Sequence, residues 1–187
     1  MVALSSPVCD FGWQAPDFSL PGVDGKTHSL ASVSGKSGLL VMFICNHCPY
    51  VQAILPRLVA DCRSLQALGI GVAAIMSNDT KAYPEDSFRQ MVALADALNF
   101  SFPYLYDESQ AVAHAYGAVC TPDFFGFNAE RALQYRGRFD GSGMNARAVP
   151  ADTKSDLLLA MTEVAHSGRG PEKQQASIGC SLKWRQK

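Results

Sequence analysis

LLVMFICNHCPYVQAILPRL, residues Leu39–Leu58, decides how this chain is read. Its first half, with Gly38, is a continuous apolar run rich in β-formers, the pattern of a strand buried on both faces. From Pro49 the apolar positions change period: Val51, Ile54, Leu55, Leu58, Val59, Cys62, Leu65 and Leu68 recur at helical spacing. Pro56 lies inside that helix and removes one backbone hydrogen bond, so a bend is expected there; Gly69 supplies the cap. Cys45, His47 and Cys48 stand where strand passes into helix. Metal ligation, a structural crosslink and redox chemistry compete to explain them.

A helix beginning near Cys48 places Cys45 at its N-terminus, facing solvent at the strand's end, where unpaired N–H groups and the helix dipole favour thiolate over thiol. Residues i and i+3 on a first turn share a face, with Cα atoms about 5–6 Å apart, within disulfide range. His47 adds a donor or partial positive charge that lowers the thiol pKa further. On this reading Cys45 is the nucleophile that thiol–disulfide exchange requires, and Cys48 the resolving thiol. Pro49 costs little early in a first turn.

The remainder of the chain reads as one α/β unit. APDFSLPGVDGKTHSL forms two short strands turning at Asp24–Gly25, and IGVAAIMS is a second buried strand, so the strand–helix–strand order implies a parallel crossover. NDTKAYPED is a polar loop, SFRQMVALADAL a helix, FPYLYD a short strand, and ESQAVAHAYG a helix ending at Gly117. Strands over Asp123–Asn128 and Leu133–Phe139 form a hairpin, and a last helix starts from Asp152 or Thr153. The expected architecture is a mixed central sheet with helices on both faces, in a domain over residues 1–168, followed by a C-terminal arm over 169–187.

Composition narrows the function classes. A net charge of −1 argues against nucleic acid or an anionic membrane as partner, and no apolar run approaches the length of a membrane span. MVALSSPVCDFGWQAPDFSL has neither a basic n-region nor a continuous apolar h-region, so a cytoplasmic protein is expected. Six cysteines in 187 residues is a low density for a disulfide scaffold, and Cys62 reads as a small core hydrophobe. His28, His114 and His166 have no cysteine or acidic cluster near them in sequence.

A second signal lies in VCTPDFF, where Thr121–Pro122 precedes a strand. Proline cannot donate to a ladder, and a cis bond is the usual reason for one at so tight a strand start. Together with the strand–CxxC–helix unit, this pattern resembles the thioredoxin fold over roughly Ala15–Gly168, and within it the redoxin branch, the AhpC/TSA and TlpA/ResA-like proteins. FICNHCPYV matches the position of the redox CxxC, CTPDFFGF that of the cis-proline loop, and APDFSLPGVDGKTHSLASVSGK the N-terminal hairpin extension of that branch. SIGCSLKW is similar to the ending of a thioredoxin-like group sharing CNHCPY. The resemblance implies that Cys45 and Cys48 are the redox pair, that Thr121–Pro122 holds substrate backbone beside Cys45, and that no organic cofactor is needed beyond the Cys45–Cys48 disulfide.

The departures from that pattern are specific. If Cys48 occupied the peroxidatic position of a PxxxTxxC motif, Val41 and Cys45 would replace its proline and threonine, which makes thiol peroxidase the lesser reading. Leu39 and Val51 stand where relatives carry a buried acid or glutamate, and Ile44 replaces the usual tryptophan. Metal ligation by Cys45, His47 and Cys48 lacks the fourth donor of a closed zinc site, which Cys120 or Cys180 would have to supply. The expected function is thiol–disulfide oxidoreductase, acting on a protein disulfide or small thiol, with an electron donor the sequence does not identify and with no metal. The alternatives are a thiol peroxidase and a non-catalytic metal-binding module. Cys120 and Cys180 are candidate accessory redox thiols, each balanced against plain burial.

Overall fold

The computed structural model describes residues 3–150 and 153–186. The apolar run forms the central strand of a five-stranded sheet. Strands β1 (Ala3–Ser5), β2 (Ser19–Pro21), β3 (Thr27–Ser29), β4 (Gly38–Phe43), β5 (Ile70–Met76), β6 (Tyr104–Tyr106), β7 (Cys120–Thr121), β8 (Asp123–Phe127), β9 (Leu133–Tyr135) and β10 (Ile178–Ser181) make three sheets. The largest has the order β6-β5-β4-β8-β9; β4, β5 and β6 run parallel, while β8 and β9 are antiparallel to their neighbours. β2 and β3 form the expected N-terminal hairpin.

Five α-helices cover this sheet: α1 (Leu30–Val33), α2 (Pro49–Ala67), α3 (Phe88–Ala97), α4 (Ala111–Tyr116) and α5 (Asp156–Ser167). Alternation along β4 sends its side chains to opposite faces. Leu40 and Met42 join the core built with α2, α3 and α5, and Leu39, Val41 and Phe43 join the one built with α1 and α4. This is the mixed sheet with helices on both faces that the pattern predicts. α2 runs through Pro56, and Gly69 just beyond it has φ +84°, a left-handed conformation glycine tolerates.

Several boundaries differ from expectation. The second strand of the late hairpin stops at Tyr135, short of Phe139, which lies in the core; its ladder with β8 carries a register shift between Gly126 and Phe127. The last helix is capped by Ser155, whose hydroxyl accepts from the Leu158 N–H; Thr153 is not the cap, and Asp152 lies outside the described residues. α1 follows the hairpin directly, capped by a reciprocal Ser29–Ser32 pair.

The C-terminal segment is docked. β10 lies between β1 and β7, with Cys180 opposite both Ala3 and Thr121. The Ser177 hydroxyl donates to the Pro122 carbonyl at 2.7 Å, the Leu182 N–H to Val119 at 3.1 Å, and the Lys183 N–H to the Asn78 side chain at 2.9 Å. Among the described residues no helix is long and apolar enough to cross a membrane.

Phe43, 0% exposed, packs edge-on against Tyr116 and Phe125. Phe43→Ala removes this junction of sheet and α4, and about 3–5 kcal/mol of unfolding free energy should be lost. Urea unfolding measures it; a loss below about 1 kcal/mol would show that the neighbouring rings refill the space.

Candidate active site

Strand register places the site. Phe43, the last residue of β4, pairs with Asp123, the first of β8, so the chain leaving β4 runs beside the Thr121–Pro122 peptide, which is cis. Cys48 is the N-cap of α2 and Pro49 its first residue; Cys45 therefore lies in the loop three residues before the cap. All six cysteines are thiols. Both sulfurs of the CxxC converge on Thr121: Cys45 Sγ lies 3.4 Å from its hydroxyl, and Cys48 Sγ is 3.0 Å from its carbonyl oxygen.

This differs from the expectation for Cys45 in two respects. Cys45 is not at the helix N-terminus, which Cys48 occupies, and it does not face solvent: Cys45 is 1% and Cys48 0% exposed. The charge distribution follows the geometry. A hydrogen bond from the Cys45 thiol, one from Cys180 and the Val51 N–H on the first turn of α2 outweigh burial and pull Cys48 from its ordinary 9.0 down to about 5. Cys45 is held well above the ordinary thiol range, first because it gives its hydrogen bond to Cys48, then by burial and by the Asp86 carboxylate. Of the two, Cys48 is the one drawn toward thiolate and Cys45 the one held toward thiol.

Asp86 is the residue sequence reasoning missed. It ends a single 3-10 turn (Pro84–Asp86) within the stretch read as a polar loop, and its carboxylate is fully buried. It accepts the Asn46 N–H at 2.8 Å, the His47 N–H at 3.3 Å, His47 Nδ1 at 2.7 Å and the Asn78 amide at 2.8 Å. Four donors are what a buried carboxylate needs in place of water. Only its place just before α3 is visible locally; nothing in the sequence aims it at a motif 39 residues away. His47 is turned to Asp86, 2.7 Å away, and stacked on Tyr83 at 5.4 Å between ring centroids, which ties the ring to the loop's conformation. The Tyr104 hydroxyl and the Gln52 amide fasten Asn46 from the other side.

Cys45, His47 and Asp86 offer donor atoms within 4.8 Å of one another. The Asp86 oxygens, however, are already committed to four donors, so a cation there would have to displace the bonds that hold the loop. Cys120 is buried and donates to the Pro122 carbonyl at 3.5 Å, with burial pushing its thiol up; among the described residues it makes no hydrogen bond to another sulfur. Cys62 is buried in the core as expected. Asp123, pushed up to about 6 by burial against the pull of Arg136, accepts from the Val119 N–H and braces the segment entering Thr121–Pro122.

The backbone edge of Thr121 expected to receive substrate is taken by β10 of the same chain. Beyond Pro122 lies a cleft of about 360 Å³ walled by Tyr50, Ile54, Phe139 and Ile178. Neither it nor a larger cleft, about 650 Å³ between Val23 and Pro103, has a cysteine in its lining, and the smaller one is the one that reaches Pro122.

Two outcomes test this geometry. Asp86→Ala leaves the Asn46 and His47 N–H groups and the Asn78 amide without their acceptor, and at least about 2 kcal/mol of stability should be lost in urea unfolding; an unchanged midpoint would mean water replaces the carboxylate. A thiol with a depressed folded pKa contributes stability that is full above its unfolded value and is lost as pH falls through the folded value. The stability of the reduced protein relative to Cys48→Ser should therefore rise from pH 5 to pH 9. Unfolding under reductant at matched pH measures it, and a flat or falling difference puts the charge elsewhere.

The AhpC/TSA family model matches residues 11–139. None of the curated proteins searched matches the chain. An uncharacterized conserved protein from Geobacillus kaustophilus is 41% identical, superposes with a TM-score of 0.92, and the match covers 100% of this chain and 98% of that one. A hypothetical protein from Sinorhizobium meliloti 1021 is 39% identical at a TM-score of 0.87, over 98% of this chain and 99% of that one. A peroxidoxin from Mycobacterium tuberculosis shares the fold at 18% identity and a TM-score of 0.61, over 82% and 96% of the two chains. The thioredoxin-like architecture, the match over residues 11–139 and the two relatives that align along nearly their whole length place this chain in the AhpC/TSA family.

Proposed function

We propose that the protein is a thiol–disulfide oxidoreductase working through the Cys45/Cys48 pair. One observation carries this reading: the two reduced sulfurs of the CxxC meet at one residue, Thr121, at 3.4 and 3.0 Å, beside the cis Thr121–Pro122 peptide. That is the reduced half of a dithiol/disulfide couple. In this reading Cys48, whose thiol pKa is drawn down, is the attacking sulfur in place of Cys45, the nucleophile expected from the motif. Its thiolate displaces one sulfur of the substrate disulfide, which leaves as a thiolate and takes a proton from solvent. Cys45 then attacks Cys48 in the mixed disulfide, its proton goes to the departing second sulfur, and the Cys45–Cys48 disulfide remains. The substrate, a protein disulfide or a small thiol's disulfide, seats in the cleft beyond Pro122, where Tyr50, Ile54 and Phe139 offer apolar contact. Cys48 is sealed under β10, so access requires that strand to lift. No bound cofactor enters this cycle, and an external thiol would return the electrons.

A second reading, thiol peroxidase, is favoured by the lowered pKa of Cys48, were Cys48 to hold the peroxidatic position. Against it, Val41 and Cys45 stand where the motif's proline and threonine would be, and Cys48 Sγ lies 3.0 Å from a carbonyl oxygen and 3.0 Å from a thiol sulfur.

The reduced protein should consume oxidised glutathione with loss of two protein thiols, and Cys48→Ser should slow turnover at least about 100-fold. Alkylation and mass measurement follow the first, and a coupled reductase assay the second. Slow exchange accompanied by hydroperoxide consumption far faster than that of a free thiol would favour the peroxidase; neither activity, with stoichiometric zinc lost on mutating Cys45, would favour the metal-binding module.

A further inference from the structure

Cys48 has a second sulfur beside it. Cys180 Sγ is 3.0 Å from Cys48 Sγ, and Cys180 is 3% exposed. We propose that Cys180 is a third redox thiol of this site, exchanging with Cys48 so that the oxidised protein divides between Cys45–Cys48 and Cys48–Cys180 disulfides. The inference rests on the reading of Cys45/Cys48 as an exchange centre and adds a second resolving sulfur to it.

The fold is built to hold that contact. Cys180 pairs with Thr121, the residue both other sulfurs touch, so all three converge on one backbone position. Gly179 permits the approach: a Cβ there would meet the Thr121 carbonyl oxygen at 2.1 Å. Ser177 on one side and Leu182 and Lys183 on the other fasten the strand. Rotations of two side chains bring sulfurs at this separation to bonding distance.

The exchange balances without an external oxidant. Cys180 attacks Cys48 in the Cys45–Cys48 disulfide; the Cys48–Cys180 bond forms, the Cys45–Cys48 bond breaks, and the proton lost by Cys180 is taken up by the Cys45 sulfur. Timing follows from charge. In the reduced state Cys180 is pushed up to about 12 by burial, by its hydrogen bond to Cys48 and by the negative charge of Cys48. Formation of the first disulfide removes both Cys48 contributions and leaves burial, so oxidation of the pair eases ionisation of Cys180 next to the bond it attacks. The strand that covers Cys48 thereby carries the sulfur that relieves it, leaving Cys45 reduced.

Peptide mapping of the whole protein tests this. Wild type and Cys45→Ser are oxidised with oxidised glutathione, quenched in acid, alkylated and digested without reductant. Wild type should yield both a Cys45–Cys48 and a Cys48–Cys180 linked peptide, the second within about tenfold of the first. Cys45→Ser should yield Cys48–Cys180, with no glutathione retained on Cys48. Wild type giving Cys45–Cys48 alone, with Cys45→Ser keeping glutathione on Cys48 and alkylated Cys180, would overturn the inference and leave the exchange function standing. Were Cys45→Ser to misfold, the wild-type map alone decides. A failure of the exchange function shows differently, as no linked Cys48 peptide in either protein.

Discussion

The site depends on one buried carboxylate. Asp86 gathers two backbone N–H groups of the CNHC loop, the His47 ring and the Asn78 amide into a single acceptor, and so fixes a loop with few internal hydrogen bonds of its own. Left unmatched, each of those buried donors would cost a few kcal/mol, which is why the loop has one strongly preferred conformation. From that conformation the rest follows: Cys45 and Cys48 both face Thr121, they share a hydrogen bond, and the same carboxylate that fixes the loop disfavours charge on the nearer sulfur, Cys45.

The distribution of charge is therefore a consequence of architecture more than of the CxxC spacing. A sulfur at the cap of α2, bonded by Val51 N–H and by two thiols, is drawn toward the thiolate; a sulfur in the loop before it, facing a carboxylate, is pushed the other way. The first turn of a helix stabilises an anion only where its N–H groups reach. Here they reach the second cysteine of the motif.

Much of this was legible in the sequence. The change of period at Pro49 marks the β4–α2 boundary, the twofold burial of β4 is visible as an uninterrupted apolar run, and the Asp24–Gly25 turn announces the hairpin. Those features are local, and local rules read them. What could not be read depends on distant residues meeting. Asp86 carries no mark of its partner in the CNHC loop. The strand pairing of Ile178–Ser181 comes from edges supplied by residues 3–5 and 120–121, and no periodicity within the tail predicts it. The exposure expected of Cys45 likewise failed, since its burial depends on parts of the chain distant in sequence. The strand start at Thr121–Pro122, by contrast, was legible, since proline's missing N–H confines it to few positions in a sheet.

The central claim is that these two thiols form a reversible couple, and an equilibrium titration in glutathione redox buffers tests it most directly. With protein thiols counted by alkylation and mass at each potential, the account predicts one reversible step in which two thiols are lost together and Cys45 and Cys48 appear linked. Retention of both as thiols throughout, or their irreversible conversion to higher oxygen-bearing forms, would contradict it.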